Sequence, residues 1–119
     1  MFINTIIVND GFEIHVRFVK TKEEFEHTIP IELVTDFDQN GEAIGVEIIN
    51  LTHVGGPNAL PVEKASCEGI SVKFSYDADV DTAYLRFKKG RSIEQRAVDG
   101  WLEINTSGRL VGIKAKLKI

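Results

Sequence analysis

Asp77, Asp79 and Asp81 stand at alternate positions, as at the opening of a calcium-binding loop whose positions 1, 3 and 5 supply oxygen ligands. In that loop position 6 is glycine and position 12 is a bidentate glutamate. Here they are Thr82 and Lys88. A lysine supplies no oxygen and repels the ion. The trio fits an acidic turn whose carboxylates accept from nearby backbone amides, with a weak cation site as the alternative. His15, His27 and His53 lack zinc-ligand spacing. Cys67, between Ser66 and Glu68, has no nearby cation except Lys64, and no glycine elbow presents a serine. Gly55-Gly56-Pro57 lacks the Gly-Lys-Ser/Thr end of a phosphate loop. The reading is a non-enzyme with no cofactor and no dedicated metal site.

Charge is more informative. Residues 1–59 hold 3 Lys+Arg and 10 Asp+Glu, giving −7; residues 60–119 hold 11 and 8, giving +3. The sum is −4. That balance argues against a dedicated nucleic-acid binder. Lys73, Arg86, Lys88, Lys114 and Lys116 all point away from the core on the strand readings below. As neighbours they would form a basic sheet face, able to meet an acidic partner or phosphate. Solvation and edge protection are the plainer reading of the same lysines. Trp101 fits core, rim or interface packing.

The elements that must carry these residues are strands. Ile113, Ala115, Leu117 and Ile119 alternate with Lys114, Lys116 and Lys118. Ile14, Val16 and Phe18 alternate with polar residues, as do Val72, Phe74 and Tyr76, and then Ala83, Leu85 and Phe87. Asn40-Gly41, Lys89-Gly90, Asp99-Gly100 and Ser107-Gly108 read as turns between strands. The one helix signal is the capping-box spacing Thr21-Lys22-Glu23-Glu24, which predicts a single turn before Pro30. With 119 residues, 43% of them hydrophobic, the chain suits one globular domain with a core. Met1–Asp10 lacks the basic and apolar regions of a signal peptide, and no stretch approaches a membrane span. A single cysteine asks for no oxidising compartment, so a cytoplasmic location is expected.

The chain also resembles itself. Residues 37–48 lie over 104–115, matching Gly41 with Gly108 and Gly45 with Gly112. Upstream, Val16-Arg17-Phe18 matches Leu85-Arg86-Phe87, and Asp10 matches Asp79. The offset is 69 upstream and 67 downstream, so a loop differs by two residues. This predicts two units, 1–51 and 70–119, joined by a connector over 52–69.

In the second unit, Tyr76-Asp77, then Asp81-Thr82-Ala83-Tyr84-Leu85, then Asp99-Gly100-Trp101-Leu102-Glu103-Ile104, and finally Gly108-Arg109-Leu110-Val111-Gly112-Ile113 resemble a small bacterial family. It is number 2283 among the domains of unknown function. The first unit looks like a degenerate copy, with Phe12 in the place of Asp81 and His15 in the place of Tyr84. The resemblance implies a small, mainly β fold and no established chemistry. It also implies an antitoxin-like partner of small toxin-like proteins.

The expectations are these. The fold is mainly β, about eight antiparallel strands in two four-stranded units, packed as a sandwich or partly closed barrel within one domain. The function is a non-catalytic protein-interaction module, partnered by another protein or by its own copies. The alternatives are a ligand or cation binder at Asp77–Asp81 and a weak nucleic-acid binder through the basic face.

Overall fold

The computed structural model describes residues 2–8, 11–18, 27–60, 73–86 and 88–118. The helical turn expected at Thr21–Glu24, Cys67, and residues 61–69 of the connector lie outside them. Among the described residues eight strands form in chain order: β1 (Phe2–Val8), β2 (Gly11–Arg17), β3 (His27–Phe37), β4 (Ala43–Ile49), β5 (Lys73–Asp77), β6 (Thr82–Arg86), β7 (Glu94–Ile104) and β8 (Leu110–Lys118). They make one sheet of order β1-β2-β8-β7-β3-β4-β6-β5, and every neighbouring pair is antiparallel.

Period-two alternation sorts the side chains. Ile14, Val16, Leu33, Val46, Ile48, Ala83, Leu85, Leu102, Ile113 and Ala115 are buried on one face. The sheet curls around that face. The rings of Phe18, just past β2, and Phe74, on the far edge strand β5, lie 5.5 Å apart edge to face. In a flat sheet six strand steps would hold them about 29 Å apart. The architecture is thus the partly closed barrel rather than the sandwich.

The expected four-stranded units do not form separate sheets. The order runs by hairpins: β1-β2, β8-β7, β3-β4, β6-β5. The two hairpins of the first half are separated by one from the second, and the reverse holds too. The buried faces of both halves therefore share one core. The longest ladder joins the halves directly, β3 to β7 over eleven residue pairs from His27↔Ile104 to Phe37↔Glu94.

Two local expectations are corrected. Asp99-Gly100 is not a turn; it lies inside β7, and Gly100 is buried. A Cβ there would sit 2.7 Å from the Lys114 carbonyl oxygen and 2.9 Å from Leu33 Cγ. The glycine marks a close approach within the sheet, not a reversal. Gly41 (φ 76), Gly90 (φ 152) and Gly108 (φ 80) do supply positive φ between strands. The second correction is a helix, α1 (Leu51–Gly55), at the start of the expected connector. Five residues are too few to show helical periodicity in the sequence. Leu51 and Ala59 are fully buried, and Gly55 packs toward Leu102 and Ile104, so α1 and the residues after it cover part of the core face.

Candidate functional site

Among the described residues, side-chain clusters that join separate strands lie on the open face of the sheet and at the β5–β6 turn. On the face, register brings Arg17, Gly112, Glu103 and Thr28 into one row across β2-β8-β7-β3. Glu103 is buried, although it faces away from the core. Its Oε1 lies 2.5 Å from His15 Nε2 and accepts from Arg17 Nη1 at 3.2 Å. Gly112 lies opposite Glu103 and makes room for this carboxylate; a Cβ there would also sit 3.0 Å from Arg17 Cδ. Across the sheet, Asp36 lies opposite Gly45. Asp36 accepts from Tyr84 Oη at 2.8 Å, Gln95 Nε2 at 2.7 Å and Ser92 Oγ at 3.2 Å. The Tyr84 ring lies over Gly45, where a Cβ would be 2.8 Å from its Cζ. Each cluster thus has a buried carboxylate opposite a glycine and beside a register irregularity, at Asp36/Phe37 and at Glu103/Ile104.

Burial, the bond to Asp36 and that carboxylate's charge push the Tyr84 phenol up to about 12. The hydrogen bond to Asp81 pushes Tyr76 up as well. The chain has 2 tyrosines, so its phenolate absorbance is expected to lag the ordinary value of about 10, Tyr84 titrating last near 12. A raised pKa stabilises the fold below the unfolded value, and that contribution disappears as pH rises through the folded one. A spectrophotometric titration tests this; both phenols ionising together at about pH 10 would contradict the two bonds.

At the β5–β6 turn the aspartates separate into different tasks. Asp77 Oδ1 accepts from Asp79 N at 3.0 Å, closing the turn. Asp79 is exposed. Asp81 has left-handed backbone (φ 49) and reaches α1. Its Oδ1 accepts from Thr52 N at 3.0 Å, Thr52 Oγ1 at 2.7 Å and Tyr76 Oη at 2.5 Å, and its Oδ2 accepts from His53 N at 3.1 Å. Burial opposes its charge, but these donors outweigh burial and hold Asp81 well below the usual carboxylate range. Among the described residues no group of three or more His, Cys, Asp or Glu is arranged to hold a metal ion.

The five cations are divided. Lys114 and Lys116 are on β8, while Arg86 and Lys73 are on β6 and β5, at least four strand steps away. Lys116 lies in register between Glu13 and Asp99, and Lys114 between His15 and Trp101. Arg86 Nε donates to the Lys88 carbonyl at 3.2 Å, and its guanidinium also donates to the Gly90 carbonyl. Lys88 pairs with Glu42. The side chain of Lys73 lies outside the described residues. The face on β8 is therefore mixed in sign. Sequence reasoning missed Asp36 and Glu103. The available signal was an acid among apolar residues in Val34-Thr35-Asp36-Phe37 and Leu102-Glu103-Ile104, each with a matching glycine downstream.

Residues 73–114, from the start of β5 into β8, match a family model described as protein of unknown function (DUF2283). No curated protein and no solved structure matches the chain. No helix among the described residues is long and apolar enough to cross a membrane.

Proposed function

We propose that this chain is a non-catalytic protein-interaction module of the bacterial cytoplasm, built from two copies of one small β unit. One observation carries the binding reading: the buried acids, and Asp81 with the phenols of the recognisable motifs, brace the fold. Asp81 ties down α1, Asp36 holds Tyr84, and Glu103 holds His15 and Arg17. What the sheet presents outward is a broad polar face centred on half-buried Trp101, exposed Pro30 and the cross-strand pair Glu32↔Asp99. Tryptophan is enriched at such contact surfaces. The alternating acids and lysines suit a protein surface better than a phosphate backbone.

Several features support the two-copy reading. Exchanging β1–β4 with β5–β8 leaves the strand order unchanged when read from the other end. Ile14↔Ala115 and Val16↔Ile113 correspond to Ala83↔Ile48 and Leu85↔Val46, as the offsets of 69 and 67 require. β3 and β7 share the burial sequence of their last seven residues. A pseudo-two-fold axis would then pass through Glu32↔Asp99, which are 67 residues apart.

The binding test is capture of the tagged protein's partners from host lysate at low and high salt, read by mass spectrometry. A stoichiometric protein that survives the higher salt is expected, and a small toxin-like partner would fit the antitoxin-like form of the proposal. No specific protein at either salt would overturn it.

A further inference from the structure

Among the described residues β5 is an edge strand. β6 pairs with one side of it, and among the described residues no strand pairs with the other. An open edge presents unpaired backbone donors and acceptors that can template another strand. The sequence of this edge is Lys73-Phe74-Ser75-Tyr76-Asp77. It is complementary to itself when reversed.

We propose that two copies of this chain join edge to edge through β5, antiparallel, with Ser75 facing its own copy on the two-fold axis. In that register Lys73 stands opposite the partner's Asp77, and Phe74 stands opposite the partner's Tyr76. Antiparallel partners directly opposite share a face of the sheet, so each pairing is chemically consistent. Phe74 and Tyr76 pack against the core while Ser75 and Asp77 are exposed. The joined sheet would therefore keep one continuous apolar face and one continuous polar face. A slip of one residue would set apolar positions opposite polar ones. The other edge, β1 (Phe2–Val8), carries no charge and offers no such selection of register. Such an interface is isologous and closed, as a two-fold dimer requires.

This goes beyond the proposed binding role and does not depend on the polar face having a partner. A five-residue edge is far smaller than the roughly 1,600 Å² of a standard interface. The dimer is therefore weak and concentration-dependent.

The test is sedimentation velocity on the full chain from about 10 μM to about 1 mM, a range that brackets binding free energies of about −7 to −4 kcal/mol. The wild type is expected to move from monomer toward dimer over that range. Lys73→Glu and Asp77→Lys each place like charges at both ends of the joined edge. Each is expected to weaken association at least about tenfold, the effect of 1.4 kcal/mol. An equimolar mixture of the two variants restores opposite charges at both ends and is expected to associate again. Asp77 also closes the turn to Asp79, whereas Lys73→Glu leaves that bond intact, and circular dichroism verifies both folds. A wild type that stays monomeric throughout overturns the proposal. So do variants that associate as the wild type does, which would point to β1 or another surface. A mixture that fails to associate overturns the register.

Discussion

Gly100→Ala is expected to destabilise the protein by about 3 kcal/mol, at the upper end of the overpacking range, and to do so without touching any charged group. The added methyl would meet two objects that cannot both retreat. One is the Lys114 carbonyl oxygen, 2.7 Å away, fixed on β8 beside β7. The other is the Leu33 side chain, with Cγ 2.9 Å away, fully buried on the central strand β3. Relief requires displacing Leu33 into a close-packed core or opening the β7·β8 ladder. Gly41→Ala is the matched comparison. Gly41 has φ 76 and open space around its Cβ position, so it carries only the backbone penalty of about 1–2 kcal/mol. Urea unfolding of both variants decides the matter. A loss at Gly100 no larger than that at Gly41 would mean that Leu33 relaxes freely, and the close-approach account would fail.

Gly100 also shows where a single sequence stops being legible. Strand content followed from alternation, because burial of one face imprints period two on the residues, as in Ile113, Lys114 and Ala115. Glycines at Asn40-Gly41 and Ser107-Gly108 read correctly, since a left-handed turn and a glycine are local to each other. Asp99-Gly100 has the same local signature, yet its cause is Leu33, 67 residues earlier. The interleaving of hairpins is invisible for the same reason. A strand's alternation states which face is buried and nothing about which strand lies beside it. The clusters at Asp36 and Glu103 depend on that neighbour relation, since Tyr84 reaches Asp36 across 48 residues and His15 reaches Glu103 across 88. The acidic trio was visible as a turn. The distinct role of Asp81 was not, because α1 is too short to announce itself.

That role makes Asp81→Asn the other large expected effect. The first amides of a helix have no intrahelical acceptor, and Asn50, at the N-cap position of α1, makes no side-chain cap bond. Residue 81 replaces the local cap from 29 residues away in sequence. Its backbone carbonyl accepts from Leu51 N at 3.0 Å, and its carboxylate accepts from Thr52 N and His53 N. The same carboxylate takes the Tyr76 hydroxyl, so one side chain joins β5, the turn and the helix. Asparagine tolerates the left-handed backbone about as well as aspartate does, so the substitution isolates the charge and its acceptors. An amide cannot accept on both arms, and one donor group would face a donor. The loss at pH 7 is expected to be about 1.5–3 kcal/mol, the range for hydrogen bonds to a charged group. Because the folded-state pKa of Asp81 is depressed, its contribution is present above the unfolded value of about 4 and is lost as pH falls toward the folded one. The stability difference between wild type and Asp81→Asn should therefore shrink as unfolding is measured from pH 7 downward past that value. A difference that stays constant into acid would show that the shape of the carboxylate, and not its charge, holds α1 in place.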